Sequence, residues 1–155
     1  MSGFASAALI LHTVSAVVWL GGMFFALLVL RPATRPLEPP VRLQLWSRVL
    51  DGFFRWVIAA IVLLLASGYA MVFVVFGGFA NVGVYVHVMQ GLGIIMMLAF
   101  FHVYFAPWAR MRRALGRQDY PEAARQLNQI RLIVMLNLVL GIVTVAVGGG
   151  GRYWG

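Results

Sequence analysis

The sequence predicts an all-α fold, an integral membrane four-helix bundle, and three observations carry that expectation. Of 155 residues, 63% are hydrophobic and only 10% are charged, which lies far outside the soluble globular range. The apolar residues gather in four runs, each near the roughly 20 residues that cross a bilayer. Nearly all the charges fall between those runs, as they do when loops stay in water and helices in lipid.

The first run spans about residues 4–30 and is expected to stop at Arg31-Pro32, where charge and a missing N–H end a helix at the membrane surface. At about 27 residues it is long enough to tilt. Within it lies HTVSAVVWLGG, where His12, Ser15, Trp19 and Gly22 recur at i, i+3, i+7 and i+10 and so share one helix face. An imidazole in hydrocarbon costs free energy unless it is coordinated or hydrogen-bonded, so this face is expected to look inward. The connection that follows holds four prolines in its first half, then VRLQLWSRVL, whose apolar spacing suggests a helix lying along the interface.

The second run, about 53–76, carries Arg55 just inside its start and Ser67, Gly68 and Tyr69 further along. It ends at GGFANVG, a short uncharged connection that implies an antiparallel hairpin with the third run. That third run, about 84–108, is the most polar, with His87, Gln90 and His102. Residues 87, 91, 94, 98 and 102 form one stripe, so His87 and His102 share a face about 22 Å apart along the axis. Six arginines follow between Arg110 and Arg131, together with PEAARQLNQIR, which reads as a short amphipathic helix with Pro121 in its first turn. The fourth run, about 132–147, places Asn137, Gly141, Thr144 and Gly148 at i, i+4, i+7 and i+11, a spacing of small and polar residues that lets helices approach. The tail ends in Tyr153 and Trp154, residue types favoured at the membrane interface. No internal repeat and no second domain are visible, so residues 1–155 read as one transmembrane domain.

The arginine distribution sets the expected orientation. Both basic loops belong in the cytoplasm and both termini outside, in the periplasm of a bacterial inner membrane protein with several passes. The amino-terminal segment has no basic start and its apolar run exceeds a signal-peptide core, so it is expected to remain as a membrane helix. A formal charge of +8, carried wholly by arginine, has this topological use, and no nucleic-acid partner is expected. The absence of cysteine excludes disulfides, thiolate metal sites, iron–sulfur clusters and covalently attached haem.

Chemistry can sit at the outer ends of the first and third runs. His12 and His87 lie roughly 12 Å and 5 Å below the surface by helical rise, depths that allow a common site. Two imidazoles on facing helices can hold a b-type haem without cysteine. Gly22 and Gly91 would leave room for a porphyrin, Trp19 could pack on it, and Arg55 either snorkels to the surface or pairs a propionate, a quinone oxygen or an acidic substrate. His102 is too far for the same iron and is a candidate for a second site or a hydrogen bond across helices. Copper is the competing reading, through the same histidines with Met23, Met89 or Met96, since thioethers suit Cu(I). His87 and Met89 point about 200° apart on their helix and cannot bind one ion together. No acid lies within a run, which argues against a proton-driven transporter.

The segments LHTVSAVVWLGGMFFALLVLRPA, FFRWVIAAIVLLLASGY, FGGFANVGVYVHVMQGLGIIMMLAFFHVYFAPW and RLIVMLNLVLGIVTVAV together resemble the CopD family, in its short four-helix bacterial members. The resemblance covers nearly the whole chain and implies the four-helix fold, with copper resistance or uptake attached to the family by name. A more distant similarity is to the HemJ-type membrane protoporphyrinogen oxidases, whose pattern matches His12, Trp19 and His87 and attaches haem to the histidines. That pattern has a lysine two positions after the third-helix histidine, where this chain has Met89. Taken together, the expectation is a haem b protein acting in electron transfer or as an oxidoreductase on a small membrane-soluble reductant. The alternatives are copper import or delivery, and an accessory subunit of a respiratory assembly. Expected partners are the lipid bilayer, a quinone or porphyrin-like molecule, and other membrane subunits or further copies of the chain.

Overall fold

A computed structural model describes residues 2–153, and Trp154 lies outside the described residues. The order of helices is α1 (Ser2–Phe24), a π-helical turn (Phe25–Leu30), α2 (Arg31–Ala33), α3 (Pro39–Ala70), a second π-helical turn (Met71–Val75), a 3-10 turn (Phe79–Asn81), α4 (Val84–Phe105), α5 (Pro107–Gly116) and α6 (Tyr120–Gly150), with Gly151–Tyr153 closing in a 3-10 turn. Four continuous stretches, Gly3–Ala33, Pro39–Val75, Val84–Gly116 and Tyr120–Gly150, are long and apolar enough to cross a membrane.

Several element ends differ from the sequence expectation. Pro32 does not stop the first helix, which runs on to Ala33. The preceding π-helical turn shifts the ladder, with the Arg31 N–H bonding to Ala26 O, and widening the turn relieves the clash a proline makes with the carbonyl four residues back. VRLQLWSRVL is not an interfacial helix; it is the first part of α3. Leu43, Trp46, Leu50, Phe54, Val57 and Ile61 continue one apolar stripe at spacings of three and four across Asp51-Gly52, and all are buried. Likewise PEAARQLNQIR is the start of α6, capped by Asp119, whose carboxylate accepts from the Glu122 N–H at 3.1 Å. The third helix breaks at Ala106, because a residue before proline is pushed out of the α region, and α5 restarts at Pro107.

α1 packs mainly on α3 and α4 mainly on α6, while α6 also touches α1 and α3. Rings join the two pairs: Phe54 of α3 meets Phe100, Tyr104 and Trp108 edge-on or tilted, and Trp19 of α1 meets Phe100 edge-on. The largest fully buried side chains include Trp46, Phe54, Met23, Leu43, Met111 and Leu127. All lie in the half of the bundle toward the arginines, here termed the arginine end. The opposite half, the histidine end, buries mainly small residues such as Ala8, Ser15 and Ser67, and the apolar stretches expose most of their surface. Such outward-facing Ile, Leu, Val and Phe side chains suit contact with lipid.

Small and polar residues set the closest helix approaches. Asn137 donates from Nδ2 to Met96 O at 3.1 Å, tying α6 to α4. A Cβ at Gly141 would stand 2.9 Å from Leu20 Cγ, so only glycine lets α6 meet α1 there. The stripe read from Asn137 to Gly148 therefore packs against two neighbours.

Candidate functional site

His12 projects from α1 into the contact with α3. Its Nδ1 lies 3.1 Å from Ser67 Oγ, and a Cβ at Gly68 would come within 3.2 Å of its Cε1. Gly68 thus leaves the space that the imidazole edge fills. Ser67 Oγ also donates to Leu63 O at 2.5 Å. The Leu64 carbonyl accepts a hydrogen bond from the imidazole as well, so α3 holds the ring through two residues, Leu64 and Ser67. A ring held by groups of a neighbouring helix is how a metal-ligating histidine is oriented. Sequence reasoning noted Ser67 only as a polar residue in its helix; its pairing with His12 depends on the register of α1 against α3, which no single-chain pattern reports.

The remaining site candidates separate into distinct surroundings. Ser15, on the His12 face, is buried and donates to Leu11 O at 2.8 Å. Trp19 is buried in the ring cluster, and Gly22 lies against the Phe53 ring, which would clash with any side chain there. Gly91 is exposed with open space where a Cβ would sit. His87 is exposed and tilts against the Phe79 ring, with centroids 6.0 Å apart. His102 is exposed further along α4. Arg55, with 77% of its side chain exposed, pairs with Asp51. It precedes Ser67 by twelve residues on α3, about 18 Å by helical rise, so it belongs to the arginine end.

Gln90 donates to Tyr69 Oη at 3.1 Å and fixes the relative height of α3 and α4. His12 is level with Ser67, two residues short of Tyr69, whereas His87 is three residues beyond Gln90. His87 therefore lies roughly 7 Å nearer the histidine end than His12 by helical rise. The methionines do not gather at His12 either. Met23 is buried near the ring cluster, Met89 lies across Gly148, and Thr144 Oγ1 approaches Met96 Sδ at 3.9 Å. Among the described residues, no group of three or more His, Cys, Asp or Glu could hold a metal ion. What the bundle offers is one oriented imidazole at the loosely packed end.

Four apolar helices with polar residues turned into their contacts define a multi-pass membrane protein. Residues 47–150 match the family described as Copper resistance protein D, CopD. The chain belongs to that family. A relative from Aquifex aeolicus (strain VF5), named only as an uncharacterized protein, is 28% identical over 141 residues, covering 90% of this chain and 94% of its own length. No solved structure matches.

Proposed function

We propose that this protein carries copper, as Cu(I), across or into the inner membrane of a bacterium, with His12 as the residue that binds the passing ion. The observation that carries the reading is the His12–Ser67 pair, which holds the imidazole in a fixed orientation against α3. Cu(I) accepts imidazole nitrogen in low coordination, and one or two ligands suit an ion that must leave again. The family description, Copper resistance protein D, points to the same metal.

In this reading copper displaces haem from first place. The sequence allowed His12 and His87 a common iron, but His87 tilts against Phe79 roughly 7 Å, more than one turn of rise, from the level of His12, and Arg55 is held by Asp51 at the other end. The residues therefore fit an axial pair around haem b poorly. The orientation follows the arginines: the histidine end faces the periplasm, the basic connections face the cytoplasm, and His12 lies within reach of ions from outside.

Anaerobic Cu(I) titration of the purified protein against a chromogenic chelator tests the reading. The wild type should bind about one ion per chain, His12→Ala should lose that binding, and His87→Ala should keep it. Unchanged binding in His12→Ala, or an isolated protein with a Soret band that vanishes in the same variant, would overturn copper, the second outcome in favour of haem b.

A further inference from the structure

The arginine end carries a feature that metal handling does not use. Arg131, at the start of the apolar part of α6, lays its guanidinium over the Trp46 ring at 4.7 Å, and its Nε is buried with no hydrogen-bond partner. The charges that act on it are those of Arg31, Arg42 and Arg35, all of the same sign. Among the described residues the ion pairs are Arg55–Asp51 and Arg125–Glu122, so none of these four arginines has an acidic partner. Four cations without a counter-ion repel one another, and an anion placed among them would be held by charge-assisted hydrogen bonds.

The cluster is built rather than incidental. Trp46 Nε1 donates to Thr34 Oγ1 at 3.0 Å, and Thr34 Oγ1 donates to Arg31 O at 3.1 Å. That chain locks the turn between α2 and α3 against the same indole that supports Arg131. Arg42 Nη1 reaches back to Arg35 O at 3.5 Å. The apolar side chains that flank these arginines in the chain, Leu28 and Val29 before Arg31 and Leu132 after Arg131, are exposed.

We infer that this end binds an anionic phospholipid, its phosphate among Arg31, Arg35, Arg42 and Arg131 and its acyl chains against the exposed Leu28, Val29 and Leu132. Arginines flanked by exposed apolar side chains match the two halves of a lipid, whereas a free phosphate would use only the first. The site is independent of the copper reading.

Thermal unfolding of the full-length protein in neutral detergent, with phosphatidylglycerol or phosphatidylcholine added, tests the inference. Phosphatidylglycerol should raise the midpoint by several degrees and phosphatidylcholine should not. R131Q should lose at least half of that rise, and R113Q, on α5, should keep it. Should R131Q not fold, R31Q/R42Q takes its place and should lose the rise while leaving the Trp46–Arg131 stack. Equal stabilisation by both lipids, an unchanged rise in R131Q or R31Q/R42Q, an equal loss in R113Q, or the full rise with inorganic phosphate alone would each overturn the site.

Discussion

At the scale of single residues, Ser67 is as informative as His12. A hydroxyl in a membrane helix ordinarily returns its hydrogen to a carbonyl one turn back, as Ser67 does to Leu63 O. His12 Nδ1 lies 3.1 Å from the same oxygen. Ser67→Ala should therefore loosen the orientation of the imidazole. Cu(I) affinity is expected to fall about tenfold or more, within the range known for outer-shell partners of metal ligands. The fold should lose roughly 1 kcal/mol, as for an interhelical hydrogen bond in lipid. Chelator competition reads the first quantity and thermal unfolding the second. If Ser67 were only a packing residue, affinity would stay at the wild-type value.

At the scale of elements, hydropathy alone makes the four apolar runs legible, and the glycine-rich connection around Gly77 and Gly78 is just as plain, both residues having positive φ. The ends of elements are harder. Asp51-Gly52 looks like a boundary because it joins a charge to a helix-weakening residue, yet the stripe from Leu43 to Ile61 passes through it unbroken. Tertiary burial of Trp46 and Leu50 outweighs the local preference. The site was legible only in its residue types: His12 stood out in the sequence, but its partner and the separation from His87 depend on how the helices are set against one another. Helix contacts also separate the glycines by role. Gly141→Leu would drive a side chain into Leu20 and should cost roughly 1–3 kcal/mol in thermal or denaturant unfolding. A Cβ at Gly91 would meet nothing within 4 Å, so Gly91→Ala should keep stability or raise it by up to about 1 kcal/mol. Equal losses in the two would refute this division.

At the scale of the whole molecule, the protein is asymmetric along the membrane normal. Its large buried side chains and unpaired arginines lie at one end, and His12 lies at the open, weakly filled other. The proposed orientation makes a direct prediction because the chain has no cysteine to confuse labelling. Ala80→Cys in intact cells should react with a membrane-impermeant maleimide, and Arg117→Cys should react only after the membrane is breached. The reverse pattern would place His12 toward the cytoplasm and turn the proposed direction of copper entry around.

The continuous helix from Pro39 to Val75 has 37 residues, about 55 Å of helix against a hydrocarbon layer of roughly 30 Å. Even when tilted, it carries Leu43, Trp46 and their partners Met111, Ala123 and Leu127 clear of the lipid tails. That cluster is a small water-soluble core mounted on a membrane anchor, and its cohesion comes from the hydrophobic effect, which is missing between helices in lipid. The molecule thus obeys two solvents at once. Urea should loosen the arginine end while the histidine end stays assembled, and a harsh detergent should act in the opposite order.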